Sequence, residues 1–525
     1  MMELSDVPPE NAEDAIRRIA EATRGTPYEG RLYVVGGYLR DRRIGRANTQ
    51  PLDDLSSEED PSLRSAFLER LSDSPDMPSR RPLEKWESRE AKEVDMALEG
   101  DALDLAGFLY QRRVSSGPPV TYPRFGTAML RVNNIMVELV TARRESYEAS
   151  SRKPTVEPAT IAEDAMRRDF TINTLFRNVH TGVELDPTGQ ALEDLARGVI
   201  RTPLDPDQTF FDDPLRMMRA ARFAAQLGFQ LDPLAAQSIR RNRSRLDVIS
   251  RERIRDEWTK LLLSSRPALG VALLQDLGLL SHFLPELAGI ATSPLLAINH
   301  RDWNHTLDLL RALSAGPLET DPPGTGARPP GDPSLRESLS VRLAAALHHA
   351  VGSRVAGALL FGLRYSTVEA RHTALLLEAR EKIISVHPDQ WTDGAVRRWI
   401  RLCTTNPGGA ARHLDEFFTL CWLDRASGDS DLASVDLEDL WQRVNRLENE
   451  VPSASLESPL DGAAIMALLG IHPGPRVREV KDWLLDKVLE GELAPEDSLA
   501  AKRLVLDPQA GWRTLDRTTD QQKID

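Results

Sequence analysis

Near Asp164 the hydrophobic pattern of this chain changes period, and that change limits the architecture more than any single motif. Before it, apolar residues alternate or gather in short runs, as in "RLYVV", "VDMAL", "FGTAMLRV" and "IMVELVT", which predicts strands. After it, "DPLRMMRAARFAAQLGF" and "RERIRDEWTKLLLSS" space their apolar residues at the period of an α-helix. The expected class is α+β: a small mixed α/β head followed by an all-helical remainder. With 525 residues, 41% of them hydrophobic, the chain exceeds what one core can organise and divides into several domains. We expect a head over 1–185 with a polar insertion at about 47–92, a helical neck over 186–264, a helical body over 265–445 and a helical tail over 446–525. The Pro/Gly-rich "LSAGPLETDPPGTGARPPGDPSLRES" reads as a surface loop inside the body rather than a domain boundary.

Composition removes several classes of function. No stretch is apolar and long enough to span a bilayer, and the first residues lack the apolar run of a signal peptide. The expected location is the cytoplasm, and no membrane partner is expected. Cys403 and Cys421 are too few for a disulfide framework and lack ligand spacing to each other, which suits a reducing compartment and argues against zinc. A net charge of -14 excludes indiscriminate nucleic-acid binding, so any RNA contact must rest on a local basic surface.

The run "KEVDMALEGDA" carries the first candidate chemistry. In a strand, residues two apart project to one face, so Glu93 and Asp95 converge on one point. Two carboxylates so placed can hold a hard divalent cation, although an acidic pair at this spacing also fits the solvated face of a sheet. Glu138, on "IMVELVT", becomes a third carboxylate if its strand lies alongside. Asp53 and Asp54 are a poorer pair, because adjacent strand residues point to opposite faces.

Other motifs supply cations and a phosphate cradle. "VVGGYLRD" reads as a buried strand, a glycine turn at Gly36 and Gly37, and a helix opening at the arginines, with Arg40 one turn beyond. "EDAMRRDFTINTL" offers Arg167, Arg168, Asp169 and Asn173 to a triphosphate and sugar hydroxyls. In "FFDDPLRMMRAARFAA" Arg216, Arg219 and Arg222 fall at three-residue steps on neighbouring parts of one helical face. Three like charges there call for an anion or a carboxylate such as Asp213.

These motifs, in this order, resemble the class II tRNA nucleotidyltransferase (CCA-adding enzyme) and bacterial poly(A) polymerase family. "VVGGYLRD", the carboxylate pair followed by "LEGDA", "RRDFTINTL", "DPTGQALEDLARGVIRTPLDPDQTFFDDPLRMMRAARFAAQLGF" and "RERIRDEW" carry the resemblance from about Leu32 to Leu263, and "LDGAAIMALLGIHPGPRVREVKDWLLDKVLEGEL" extends it to the tail. It implies a polymerase β-like nucleotidyltransferase palm as the head. It implies CMP and AMP transfer from CTP and ATP to the tRNA 3′ end, with pyrophosphate released. Residue by residue, it implies Glu93 and Asp95 as catalytic ligands of Mg2+, where the family carries Asp at the position of Glu93. It implies phosphate contacts at Gly37 and Arg40, and a nucleotide contact at Arg168. Asp213 and Arg216 would read a base edge by hydrogen bonds, and Arg219 and Arg222 would complete the pocket. The implied partner is tRNA rather than DNA. An enzyme adding only the terminal A, or a poly(A) polymerase, would use nearly the same residues, and a catalytically inactive RNA-binding protein is the reading from another class.

Two further regions stand outside that scheme. Some relatives carry a metal-dependent phosphohydrolase module, and His305 and His348 resemble its histidines, with His349 where its essential Asp stands. Without a bridging carboxylate the expectation is a structural remnant, the alternative being an unusual metal site. Arg240, Arg241, Arg243, Arg245, Arg251 and Arg253 form either an RNA-backbone contact or a solvated basic face.

Overall fold

The structure, a computed structural model, describes residues 11–49, 93–146, 155–292, 299–314, 333–386, 391–404, 410–428 and 430–513. The greater part of the expected insertion, together with Asp53 and Asp54, lies outside the described residues. The chain forms two compact units, Met1–Ser250 with Asp276–His282, and Arg251–Gln275 with Phe283–Asp525. The segments expected as head and most of the neck thus fall in the first unit, and most of the expected body, with the tail, in the second.

The first unit opens with α1 (Ala12–Thr23), whose first turn is capped by the Asn11 side chain accepting from Asp14 N. Next, β1 (Leu32–Val35) turns at Gly36 into α2 (Gly37–Thr49). That helix opens at the glycine rather than at the arginines, because Arg40 N already donates to Gly36 O at 3.2 Å. After it come β2 (Glu93–Leu98), α3 (Ala102–Gln111), β3 (Val120–Tyr122), β4 (Thr127–Val132) and β5 (Ile135–Thr141). A separate hairpin, β6 (Arg143–Ser146) with β7 (Thr155–Pro158), leads to α4 (Ile161–Met166). Two short strands, β8 (Phe176–Asn178) and β9 (Glu184–Leu185), complete a seven-stranded sheet in the order β3-β4-β5-β2-β1-β8-β9. Among the described strands of this sheet, only β2 and β5 pair in parallel, with Asp95 opposite Glu138.

Strand alternation gives this sheet two unlike faces. Val34, Met96, Leu98, Leu130, Val137 and Leu139 are fully or almost fully buried on the face where α3 packs, each contributing about 1.5–3 kcal/mol of apolar burial. The opposite face carries Val35 and Ala97, which cluster with Ile161 and Ala165 of α4. It also carries Asp95, Met129 and Glu138, which that cluster leaves uncovered. A strand-rich head thereby keeps one part of a sheet face free of core.

The helical elements of the first unit follow: α5 (Ala191–Arg197), α6 (Pro206–Asp212), α7 (Leu215–Leu227) and α8 (Pro233–Asn242). Helix α7 buries Met217, Met218, Ala220, Ala221, Ala224 and Ala225, and ends at Gly228 in the left-handed conformation with φ 69°. Small residues on that stripe let the helix lie close to its neighbours while its arginines occupy the flank.

All the regular structure described in the second unit is helical. Its core includes Trp399 edge-on to Phe417 at 4.8 Å between ring centroids. Toward the C-terminus the helices Gly462–Leu469, Pro475–Leu489 and Ser498–Leu506 close over Ile465, Val480, Leu484, Val505 and Trp512. Among the described residues, no helix is long and apolar enough to cross a membrane.

Candidate active site

The uncovered sheet face forms one wall of a cavity of about 490 Å³. Asp95 and Glu138 stand on that wall side by side, fixed by the β2–β5 register, and Arg143, Arg167 and Arg168 line the same cavity. Tyr122 and Phe125, both exposed, complete its rim. Glu93 lies two residues before Asp95 on β2, so it projects to the same face at the strand's exposed start.

The glycine turn meets this wall directly. Gly36 takes φ +80°, and a Cβ built there would lie 3.3 Å from Asp95 Oδ2 and 3.9 Å from an Arg168 terminal nitrogen. Only a residue without a side chain allows both the left-handed backbone and that approach. A strand and a turn far apart in sequence thus put backbone beside the carboxylate.

The electrostatics of the wall are those of crowded acids. Asp95 opens to the cavity, yet its carboxyl sits in a concave surface with dense protein around it. Burial raises its pKa, Arg168 and Arg40 oppose that rise, and the neighbouring charge of Glu93 adds to it. Glu138 is raised for the same reasons, burial first and then the charge of Asp95. Carboxylates that resist ionising together are stabilised by a cation between them. Oxygen ligands in this number suit a hard divalent ion, and Asp95, Glu93 and Glu138 offer them on one sheet face.

Two buried aspartates organise the arginines. Asp164, 1% exposed, accepts from Arg167 Nε at 2.9 Å on one oxygen and from Arg168 Nε at 3.1 Å on the other. Its burial would raise it, but the two guanidinium groups outweigh that and hold it below the ordinary carboxylate range. Asp169 accepts from Arg219 Nε at 2.8 Å and from Asn173 Nδ2 at 3.0 Å. Arg219 and Asn173 overcome its burial, and its pKa is strongly lowered. Asn173 in turn accepts from Arg40 at 2.8 Å, tying α2 to the loop that precedes β8.

Helix α7 joins the same group from its arginine flank. Arg216 donates to Arg167 O at 2.5 Å, while Arg40, Arg219 and Arg222 gather around the Phe223 ring at 5.0, 5.3 and 4.1 Å. Asp213 sits at the α6–α7 junction, where one of its oxygens accepts from Leu215 N at 3.2 Å. On the arginine stripe Asp169 pairs with Arg219, and Asp213 accepts from the start of α7. Helical periodicity shows that a carboxylate is needed, and says nothing about which loop supplies it.

Of the residues read from sequence, Asp95, Arg168 and Glu138 line the cavity, and Glu93 stands beside it. Gly36 backs Asp95, while Gly37 opens α2 next to the guanidinium of Arg40. Arg40 is 7% exposed and engaged with Asp41 and Asn173, so it braces the site from behind. Arg143, Tyr122 and Phe125 were not singled out from sequence; a register argument from β5 and β4 could have found the last two at the strand ends. The basic cluster is largely tied up: Arg240 pairs with Asp276, Arg241 with Asp207 at 2.8 Å, and Arg245 stacks on Phe211 at 3.8 Å. Arg251 and Arg253 belong to the second unit.

A mixed sheet that presents paired carboxylates beside a glycine turn, walled by arginines and followed by helices, defines the nucleotidyltransferase class of fold and site. A profile described as "Poly A polymerase head domain" matches residues 84–201, and one described as "Probable RNA and SrmB- binding site of polymerase A" matches 228–290. An A-adding tRNA nucleotidyltransferase of Deinococcus radiodurans is 30% identical over 368 residues, 65% of this chain and 79% of that protein. The mitochondrial CCA tRNA nucleotidyltransferase of Saccharomyces cerevisiae is 42% identical over 152 residues, 28% of each chain. A solved Bacillus stearothermophilus CCA-adding enzyme in complex with CTP shares the fold, with TM-score 0.58, 21% identity and coverage of 96% of this chain and 98% of that one. The chain therefore belongs to the tRNA nucleotidyltransferase and poly(A) polymerase family. Among the first relatives compared, the matched stretch spans only 24–28% of their length.

Proposed function

We propose that this protein is a tRNA nucleotidyltransferase that adds CMP and AMP, taken from CTP and ATP, to the 3′ end of tRNA. The observation that carries this reading is the placement of Asp95: opposite Glu138 in register, against the Gly36 turn, and on a wall shared with Arg168. The names of the relatives support tRNA as the acceptor. A Thermotoga maritima CCA-adding enzyme, solved in complex with tRNA, shares the fold at TM-score 0.51.

In this reaction the RNA 3′-hydroxyl oxygen forms a bond to the α-phosphorus, and the bond to the β-phosphate oxygen breaks as pyrophosphate leaves. Asp95 and Glu93, with Glu138 as a third carboxylate, would hold magnesium, which would supply charge neutralisation for the phosphoryl transfer. Gly36 and Gly37 offer backbone to the triphosphate, and Arg168, beside the Gly36 turn, offers its guanidinium to the phosphates. Arg40 holds Asn173 and the ring of Phe223, so it positions the pocket rather than touching the phosphate. Asp213 and Arg216 present an acceptor and donors to the edge of the incoming base, with Arg219 and Arg222 fixing the helix that carries them. Addition of the terminal A alone is the second reading, favoured by the name of the Deinococcus relative, which covers 65% of this chain. The buried, unpaired thiols of Cys403 and Cys421 suit a reducing compartment such as the cytoplasm.

Two substitutions test the assignment of roles. Asp95→Ala is expected to abolish incorporation of every nucleotide, whereas Arg216→Ala is expected to retain incorporation and relax the choice between CTP and ATP. An equal, indiscriminate loss in both variants would contradict the base-reading assignment.

A further inference from the structure

One wall of the cavity is left without a task by the residues that receive the nucleotide. Paired residues of neighbouring strands share a sheet face, so the register carries one row from Asp95 through Glu138 and Met129 to Val120, and a second from Ala97 through Val140 and Thr127 to Tyr122. The carboxylates therefore stand between the Gly36 turn at the end of β1 and the aromatic residues at and just after β3, the last strand of the sheet order on that side. Tyr122 is 44% exposed, and Phe125, in the turn that follows, is 50% exposed. Two aromatic rings open at the rim of one cavity make an apolar surface of the kind that marks an interaction site.

The turn that carries these rings is held from below. Gly126 takes φ +58°, and its carbonyl accepts from Thr141 N at 2.9 Å. A Cβ built on Gly126 would lie 3.2 Å from Thr141 Cβ, so the turn rests directly on the end of β5. Thr127 Oγ1 donates to Phe125 O at 3.3 Å, and Arg143 donates to the same carbonyl. Backbone contacts thus fix the turn while its rings stay open to the cavity mouth.

The reaction decides which planar group comes to this side, and here the argument rests on the transferase reading. In an in-line displacement the attacking and leaving oxygens lie on opposite sides of the α-phosphorus. The Gly36 turn and Arg168 receive the triphosphate, and so the departing pyrophosphate, on the β1 side of the carboxylates. The incoming base is drawn to that side too, because α7 is tied through Asp169 and Asn173 to Arg40 of α2, the helix that follows β1. The attacking 3′-hydroxyl is left the β4–β3 side. Three strand spacings of ~4.8 Å separate β2 from β3, a span that the terminal nucleotides of an RNA cover. Unpaired bases stack on exposed aromatic rings, and positive charge beside the rings holds the phosphates between them. Arg124, its guanidinium 5.7 Å from the Phe125 ring centroid, and Arg143, on the cavity wall, supply that charge. We propose that Tyr122 and Phe125 form a stacking platform for the unpaired bases at the 3′ end of the acceptor RNA, directing its terminal hydroxyl toward Asp95 and Glu138.

The test uses the full chain with magnesium and a tRNA ending in CC whose last base is 5-iodocytosine, irradiated without ATP so that nothing is added. Mass spectrometry of the cross-linked peptide is expected to place the link on Tyr122 or Phe125. In steady-state AMP addition, Tyr122→Ala and Phe125→Ala should each raise KM for tRNA by about tenfold, within the roughly 5- to 150-fold that one base stack supplies. KM for ATP should stay within about twofold, and Tyr122→Phe, which keeps the ring, should restore the KM for tRNA. Circular dichroism of each variant checks its fold, and the cross-link needs no variant. Because the cross-link is read without turnover, loss of the platform is distinguishable from loss of the transferase reading, which shows as no incorporation by the unmodified chain. A link elsewhere or none, a rise in KM for ATP in place of tRNA, or an unchanged KM for tRNA in both Ala variants would each overturn the proposal.

Discussion

At the scale of single residues, the account turns on Asp95. Its raised pKa and that of Glu138 follow from burial and mutual charge, and they have a consequence that can be signed. A carboxyl whose folded pKa exceeds its unfolded value binds protons more tightly when folded. Its contribution is therefore fully present at low pH and is lost as pH rises through the folded pKa. Without divalent metal, Asp95→Asn should accordingly raise the melting temperature at neutral pH while abolishing activity, a combination that a merely structural aspartate would not give. By the same logic the acid limb of the activity profile at fixed magnesium should lie above the ordinary carboxylate range. Raising the magnesium concentration should move that limb to lower pH, and a limb insensitive to magnesium would show that these groups do not hold the ion. Glu93 adds a length test. If the β2 backbone compensates for the extra methylene, Glu93→Asp should keep kcat within about tenfold while Glu93→Ala loses far more, both read by single-turnover incorporation.

At the scale of elements, the strands and the glycine turn were legible because two physical signals, period-two alternation and paired glycines after a buried run, are local. The carboxylate pair was legible for the same reason, since strand geometry alone puts Glu93 and Asp95 on one face. Glu138 was legible only conditionally, because its place depends on the parallel β2–β5 register, which is a long-range fact. Asp169, a carboxylate partner of the arginine helix, comes from a loop distant in sequence, and it forms the buried link to Arg219 and, through Asn173, to Arg40. That link joins α7, α2 and the loop before β8, so breaking it should be costly. Asp169→Asn should destabilise the protein by roughly 2 kcal/mol, less than a fully buried pair because Arg219 is about a third exposed. The native contribution should be present above pH ~4 and disappear as pH falls below it, because the Asp169 pKa is lowered on folding. Urea titrations of both proteins across that range would show the difference closing at acid pH, and a constant difference would contradict the ion-pair account.

At the scale of the whole molecule, the division of labour follows from the change of period near Asp164. A head built on a mixed sheet can leave part of one face open for chemistry, while the helices of the first unit bring arginines to its edge from outside the sheet. The overall charge of -14 makes a local surface necessary for RNA, and the stretch matching the RNA-binding profile contains Arg240, Arg241, Arg243 and Arg245. Several of those side chains are tied to carboxylates or an aromatic ring, so their replacement should affect stability as well as RNA affinity. The central claim, that this arrangement builds tRNA 3′ ends, is tested most directly by product length. Purified protein with magnesium would be given tRNA lacking its terminus, tRNA ending in C, tRNA ending in CC and an unrelated RNA, with CTP and ATP offered separately and together. The account predicts extension of each tRNA up to CCA and no further, with the unrelated RNA left unextended and every product lost in Asp95→Ala. Extension of only the CC-ending tRNA by a single A would select the second reading. Long A tails on any RNA, or no incorporation by the unmodified protein, would contradict the account.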